Sequence, residues 1–259
     1  MVYVESKDGT SIKYDKHGNG DHALILIHGW VNNRTVWDHE KNALSDKYKV
    51  ISFDLRGHGE SDPVTEEKIS LESFSQDIDA ILEKEDIETY TLIGHSMGGM
   101  IALHHEATRK DGKKLILLDT SPKPVRSGLK KIYNKILDLL EVGKHLDSDI
   151  LHQEKDVDLT PYGFSDYLVF IEGLKNTNLH VLFACLEMMI DADLIDQAKT
   201  IDIPTLILYG KGDTLLQKKE STKLHNVIDR SYLEEIDGKH HINISEPEAV
   251  ERKIRRFLD

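Results

Sequence analysis

The 259-residue sequence predicts an α/β fold: a mostly parallel, doubly wound sheet with an inserted helical cap. Two observations support this prediction. Short apolar runs alternate with amphipathic helical patterns up to residue 121 and again after residue 201. Between residues 122 and 200 the alternation stops, and only helical stretches separated by breakers remain. We therefore predict a core formed by residues 1–121 and 201–259, with residues 122–200 as a helical insert, here called the cap.

The core elements follow from local patterns. Two alternating runs flank Asp8-Gly9, a dipeptide typical of tight hairpin turns. Continuous apolar runs such as Ala23-Leu24-Ile25-Leu26-Ile27 indicate strands buried on both faces, as in a parallel sheet. The predicted strands span residues 2–6, 11–15, 23–27, 49–53, 89–93, 113–119, 203–209 and 231–236. The predicted core helices span residues 35–45, 70–86 and 97–109, with one more at the C-terminus.

Helix-start signals support two of these helices. Ser70 is placed to act as the N-cap of the helix over 70–86. The C-terminal helix is predicted to begin with Ser245 as N-cap, Pro247 at an early position and Glu248 completing a capping box. Within the cap, helices are predicted over 127–142, after Ser165 and over 177–190.

Composition limits the classes of partner. Lys and Arg number 33 against 46 Asp and Glu, a net charge of −13, which argues against nucleic acid or an anionic membrane as a partner. The single cysteine, Cys185, excludes an internal disulfide and suits a reducing compartment. No apolar run approaches the length that spans a bilayer, and no apolar segment of a signal peptide opens the chain. The protein is therefore expected to be cytoplasmic.

The most informative segment is Gly94-His95-Ser96-Met97-Gly98, between a predicted strand and a predicted helix. This is the G-x-S-x-G pattern of a nucleophile elbow. A sharp strand-to-helix turn forces the serine into a strained backbone conformation, and a Cβ atom at residue 94 or 98 would collide with neighbouring backbone. The serine hydroxyl then stands clear at the N-terminus of a helix, where negative charge is stabilised.

Other short strings accompany the elbow. His28-Gly29-Trp30 follows a buried strand, 54–62 reads Asp-Leu-Arg-Gly-His-Gly-Glu-Ser-Asp, and Gly210-Lys211-Gly212-Asp213 follows a later strand. His240 stands seven residues before Pro247. With these strings the sequence resembles the α/β-hydrolase superfamily over essentially its whole length. The resemblance is strongest at these motifs and weakest over 122–200, where the family inserts the cap that determines the substrate.

The resemblance implies a catalytic site without cofactor or metal. Ser96 would be the nucleophile, His240 its general base and Asp213 the acid that orients the imidazole, in the chain order of this fold. The backbone N–H groups of Trp30 and Met97 would form the oxyanion hole. The expected partner is a small-molecule acyl substrate.

Two assignments have alternatives. His241 adjoins His240, although the spacing to Pro247 favours His240 as the base. Asp119 also follows a strand, at a position where some superfamily members carry the acid, although the Gly-Lys-Gly context favours Asp213. His58 is kept out of the triad, because the family's 54–62 string forms a structural loop.

The residue at the nucleophile position of the elbow, Ser96, limits the class of reaction. Haloalkane dehalogenases and epoxide hydrolases of this superfamily carry aspartate there, so Ser96 excludes both. The resemblance then implies a serine hydrolase that cleaves a carboxylic ester, lactone or thioester of a small to medium acyl substrate. An acyltransferase or carbon–carbon bond hydrolase on the same triad, or a non-catalytic ligand-binding protein, remains an alternative. The natural substrate and the oligomeric state stay open.

Overall fold

A computed structural model describes residues 2–124 and 177–259. Within these ranges eight strands form one sheet in the order β1-β2-β4-β3-β5-β6-β7-β8. The strands are β1 (Val2–Glu5), β2 (Ser11–His17), β3 (Ala23–Ile27), β4 (Lys49–Phe53), β5 (Tyr90–His95), β6 (Lys114–Leu118), β7 (Thr205–Gly210) and β8 (Ser231–Ile236). The eight strands predicted from the sequence are all present.

The sheet is antiparallel only at its N-terminal edge. β1 pairs with β2 and β2 pairs with β4 in antiparallel register, whereas every pair from β4 to β8 is parallel. Every residue of β3 and β5 is buried, as the continuous apolar runs predict for strands covered on both faces. All parallel strands therefore end at one edge, where the loops that follow them meet.

Helices cover both faces of the sheet. The helices are α1 (Asp38–Leu44), α2 (Leu71–Lys84), α3 (Met97–Arg109), α4 (Leu179–Asp191), α5 (Ile195–Ala198), α6 (Lys218–Val227), α7 (Ile242–Ser245) and α8 (Pro247–Leu258). Because successive strand residues point to opposite faces, Ile25 and Ile27 join one buried cluster with α2 and α3. Leu24 and Leu26 join the other, with α1 and α8. The predicted doubly wound fold is confirmed.

Two local predictions need correction. The helix predicted over 35–45 begins with a 3₁₀ turn, Arg34–Trp37, capped by the Asn33 side chain. Ser245 is the last residue of α7 and not the N-cap of α8; Glu246 holds that position without a side-chain bond, and Pro247 is the first residue of α8. The capping box prediction is therefore wrong, because the short α7 helix occupies the residues assigned to the cap.

The cap prediction is only partly within the described residues. The helices predicted over 127–142 and after Ser165 lie outside them, whereas the third is present as α4. Val181, Cys185 and Leu186 on α4 are buried in the same apolar cluster as α2 and α3. Within the described ranges, no helix combines the length and apolar character that crossing a bilayer requires.

Candidate active site

Ser96 lies at the sharp turn between β5 and α3, with φ 52° and ψ −116°. A non-glycine residue rarely adopts this conformation, and such strain is typical of functional sites. Both flanking glycines are sterically required: a Cβ on Gly94 would lie 2.3 Å from the Gly98 carbonyl oxygen, and one on Gly98 would lie 2.3 Å from that of Ile27. The elbow predicted from the sequence is therefore present.

Asp213 follows β7 on the Gly210–Asp213 loop, and its side chain is fully buried. One carboxylate oxygen, Oδ1, accepts hydrogen bonds from the backbone N–H groups of Leu215 at 2.7 Å and Leu216 at 2.9 Å. These bonds fix the orientation of the carboxyl group and leave its second oxygen, Oδ2, directed at a histidine ring.

His240 follows β8 and lies between Asp213 and Ser96. Its Nδ1 is 2.8 Å from Asp213 Oδ2, and its Nε2 is 3.0 Å from Ser96 Oγ. Since a carboxylate only accepts, the hydrogen on Nδ1 is donated to Asp213, which leaves Nε2 to accept the serine hydroxyl. The structure thus brings together the three residues of the predicted triad, from the ends of β5, β7 and β8.

The two alternative residues have other partners. His241 also borders the site, but its Nε2 is paired with Asn32 Nδ2 at 3.4 Å. Asp119 is fully buried after β6, and its Oδ1 accepts the backbone N–H of Gly210 at 2.7 Å. Burial, together with the charge of Asp213, raises the pKa of Asp119 well above its ordinary value, against a smaller opposing effect of His240. Geometry therefore favours His240 and Asp213.

The two predicted oxyanion donors, Trp30 and Met97, belong to two different segments that border Ser96. Met97 is the first residue of α3, so its N–H has no partner one turn earlier in the helix. Trp30 follows Gly29 in the loop after β3, where a Cβ on Gly29 would come within 3.3 Å of Ser96 Cβ. Both Trp30 and Met97 line the cavity that contains Ser96 Oγ.

Comparisons with known proteins bear on the family of this chain. The family model described as alpha/beta hydrolase fold matches residues 22–139, and the one described as serine hydrolase (FSH1) matches residues 161–250. A pimeloyl-[acyl-carrier protein] methyl ester esterase of Vibrio cholerae is 30% identical over 245 residues, which cover 90% of this chain and 93% of that protein. This chain belongs to the α/β-hydrolase superfamily.

Other relatives of this α/β-hydrolase carry different names. A non-heme chloroperoxidase of Kitasatospora aureofaciens is 27% identical over 100% of this chain and 98% of its own. The crystal structure of an enol-lactonase from Burkholderia xenovorans has a TM-score of 0.81 at 21% identity, covering 99% of both chains, and shows the shared fold. The chain is thus an α/β-hydrolase enzyme with esterase and lactonase relatives, and these names do not settle which substrate it uses.

The cavity above Ser96 in this α/β-hydrolase is largely apolar. Three methionines and two leucines from different elements line it, together with Pro124: Met97, Met100, Met189, Leu215 and Leu216. Apart from the indole of Trp30, the polar side chains on its wall, among the described residues, belong to Asn32, His95, Ser96, His240 and His241. An apolar wall with a few convergent polar groups is typical of a small-molecule site.

The polar string at 54–62 is structural, as predicted. Asp54 accepts from the backbone N–H of Arg34 at 2.7 Å and from its guanidinium at 2.6 Å. Arg56 is fully buried and paired with Asp77 on α2, at 2.6 Å and 2.9 Å. His58 Nδ1 is 3.1 Å from the Arg56 carbonyl oxygen, and burial lowers the pKa of His58 to about 4. None of the three lines the catalytic cavity.

Sequence reasoning missed two polar residues on the cavity wall, Asn32 and His95. Asn32 lies in a turn after the Gly29-Trp30 pair and carries no distinctive motif. His95 had a visible signal, since it is the residue immediately before the nucleophile, but its partner is distant in the sequence. Among the described residues, no group of three His, Cys, Asp or Glu side chains is arranged to bind a metal ion.

Proposed function

We propose that this α/β-hydrolase is a serine hydrolase that cleaves a carboxylic ester, lactone or thioester of a small to medium acyl substrate through an acyl-enzyme. The proposal rests on one observation: the unbroken series of contacts from Asp213 through His240 to Ser96 Oγ, at 2.8 Å and 3.0 Å. A serine hydroxyl is a poor nucleophile at neutral pH, and an adjacent base with an oriented tautomer activates it.

In the acylation step, His240 Nε2 takes the proton of Ser96 as Oγ attacks the substrate carbonyl carbon. The imidazolium is stabilised by Asp213, whose carboxylate accepts from Nδ1 and stays ionised. As the bond to the alcohol or thiol breaks, His240 returns the proton to the leaving group. In the second step His240 takes a proton from water as the water attacks the acyl-enzyme, and then returns the proton to Ser96 Oγ. This releases the acid and restores Ser96.

The negative charge of each tetrahedral intermediate would be held by the backbone N–H groups of Met97 and Trp30. Each such donor contributes about 3 kcal/mol to transition-state stabilisation in well-characterised enzymes. The position of Met97 at the N-terminus of α3 adds the favourable field of the helix dipole.

The apolar cavity supports a small to medium acyl group. Methionine side chains are adaptable, so Met97, Met100 and Met189 accommodate acyl chains of different shape. Residues 122–200 are proposed as the cap that selects among them, because Met189 on α4 reaches the cavity wall. No partner beyond the acyl substrate is proposed, and a cytoplasmic location is supported by the single cysteine of the sequence.

The test is hydrolysis of p-nitrophenyl esters of increasing acyl length by wild type, Ser96→Ala, His240→Ala and His241→Ala. Activity that peaks at short or medium chains and is lost in the first two variants is expected. His241→Ala is the matched control, since the two histidines are adjacent and only His240 is bonded to Ser96. Full loss in His241→Ala with activity retained in His240→Ala would reverse the base assignment.

Two further measurements separate the alternatives. A fluorophosphonate labels an activated serine, so wild type without labelling and without esterase activity would favour a non-catalytic binding protein. An acyltransferase also forms an acyl-enzyme, and added alcohol would then compete strongly with water for the acyl group. We expect free acid as the main product in water, with labelling of wild type and none of Ser96→Ala.

A further inference from the structure

The buried imidazole of His95 connects the nucleophile to the base by a second route. His95 is the residue before Ser96 and the last residue of β5, and it is fully buried. Its Nε2 lies 2.7 Å from the backbone carbonyl oxygen of His240. Ser96 and His240 are therefore joined through their side chains and, separately, through the ring of His95.

The hydrogen bond fixes the tautomer of His95. A carbonyl oxygen only accepts, so Nε2 carries the hydrogen and Nδ1 does not. Nδ1 has no hydrogen-bond partner among the described residues, and Gly29 closes the space beside it, because a Cβ there would lie 2.9 Å away. A second proton on this ring would have no acceptor.

His95 is also unsuited to carry charge. Burial, reinforced by the neighbouring His240 and His241, holds the pKa of His95 well below its ordinary value. Its ring centroid lies 5.0 Å from that of His240 and 5.0 Å from that of His241. A neutral His95 donates its one ring hydrogen to the His240 carbonyl and adds no repulsion when His240 becomes an imidazolium during the reaction.

The surrounding backbone makes this contact rigid. The Ser96 N–H donates to the Leu118 carbonyl at 2.9 Å, and Thr120 Oγ1 donates to the Ser96 carbonyl at 2.7 Å. On the side of the base, Gly212 N–H donates to the Gly238 carbonyl at 2.8 Å, which joins the loops of acid and base. The His95 ring spans the gap between these two braced segments.

We infer that His95 is a positioning residue that sets the distance between Ser96 Oγ and His240 Nε2 through its hydrogen bond to the His240 carbonyl. The inference rests on the proposed function, since it concerns the proton transfer between these two residues. It acts on the turnover step, because its polar Nε2 is engaged with the base, while its ring also borders the cavity. Proton transfer is sensitive to this geometry: a displacement near 1 Å costs on the order of 100-fold in rate.

The experiment compares His95→Phe, which keeps an aromatic ring and removes the donor, with His95→Gln, whose side-chain amide restores a donor at similar reach. Active sites are counted by fluorophosphonate titration, and kcat is expressed per titrated site. We expect His95→Phe to lower kcat by about 10- to 100-fold, with KM within about twofold of wild type. His95→Gln should recover most of the loss.

His58→Phe is the matched control. His58 is also fully buried, has a pKa lowered by burial, and bonds one backbone carbonyl through one ring nitrogen, while its Nε2 has no partner among the described residues. The His58→Phe variant is expected to have a lower thermal stability and a lower fraction of titratable sites, with kcat per site unchanged.

The outcomes are distinct. If His95→Phe and His95→Gln have the same kcat per site, the donor does not position the base and the inference is wrong. The same holds if His58→Phe reduces kcat per site as much as His95→Phe, because a general structural effect would then suffice. If Ser96→Ala retains wild-type activity, the proposed function fails first, whatever the His95 variants show.

Discussion

The indole Nε1 of Trp30 donates a hydrogen bond to the backbone carbonyl of Leu182, 3.1 Å away on α4. Trp30 is the proposed oxyanion donor of the loop after β3, and Leu182 belongs to the segment proposed as cap. The same helix packs on the loop after β4, where the Val181 methyl groups would lie within 2.9 Å of a Cβ on Gly57. The loop that carries the proposed oxyanion donor is therefore held by the helix whose Met189 also lines the cavity at Ser96.

Replacing Trp30 tests whether its hydrogen bond to the Leu182 carbonyl supports the proposed oxyanion donor. Trp30→Phe removes the bond to α4 and should lower the free energy of unfolding by about 1 kcal/mol and kcat by roughly fivefold through a less ordered N–H. The measurements are urea unfolding and ester hydrolysis. Trp37→Phe is the control, since Trp37 is fully buried and its indole N–H has no partner among the described residues. An equal loss of kcat in both variants would show that ring volume, and not the bond, matters.

The acid assignment is tested by two isosteric variants. Asp213→Asn should reduce kcat by about 10⁴-fold, because the amide no longer holds the correct tautomer of His240. Asp119→Asn should change kcat by less than about tenfold, because Asp119 Oδ1 accepts the Gly210 N–H and an asparagine amide oxygen can accept the same bond. The check is kcat at pH 7.5 for both variants; the reverse order would assign the acid to Asp119.

Glu40 on α1 should make stability depend on pH. It is fully buried, and neither carboxylate oxygen has a hydrogen-bond partner among the described residues. Burial, with smaller effects of Glu251 and Glu248, raises the pKa of Glu40 to about 8. The folded state therefore holds a proton more tightly than the unfolded state. Its contribution is fully present below about pH 4.5 and is lost as the pH rises through 8.

Glu40→Gln should remove this dependence. Relative to wild type, the variant should gain up to about 4 kcal/mol in unfolding free energy between pH 5 and pH 9. Urea unfolding at pH 5, 7 and 9 measures the difference, with Glu5→Gln on the exposed face of β1 as control. Parallel pH profiles for wild type and Glu40→Gln would contradict the prediction.

Lys110 is the C-cap residue that follows α3, and its backbone is left-handed, with φ 58° and ψ 36°. Its N–H donates to the Glu106 carbonyl. Glycine adopts this conformation without the strain that a side chain imposes. Lys110→Gly should therefore raise the unfolding free energy by about 1 kcal/mol, measured by urea unfolding. Ala80→Gly, in the interior of α2, should lower it by about 1 kcal/mol. Destabilisation in both variants would show that the backbone at 110 is not strained.

A physical reason made the sheet, and the convergence of the three candidate site residues, predictable from the sequence. Buried parallel strands are continuous apolar runs, and each site residue follows one of them, so Ser96, Asp213 and His240 were expected at one sheet edge. Helix α6 was not predicted, because Leu224 is its only buried apolar side chain and its pattern is mostly polar. Periodicity gives little signal for such a helix.

Contacts between distant segments were beyond sequence reasoning. The capping box at Ser245 had the correct residue types, yet α7 takes that serine as its own last residue. The bond between His95 and the His240 carbonyl joins residues 145 positions apart. Because every residue has a backbone carbonyl, this acceptor cannot be identified from residue types. The burial of Glu40 likewise depends on α8 packing against α1, which no local pattern of α1 reveals.

Ser96 and His240, the proposed nucleophile and base, are 144 residues apart in the chain, and His240 follows β8, the last strand of the described sheet. Such non-local pairings form late, after the entropy of closing long loops has been overcome. Enzyme activity should then be a reporter of completed folding. A chain emerging from the ribosome would have no activity until His240 had reached its place after β8. Local unfolding of this edge of the sheet would abolish activity while most of the core remained folded.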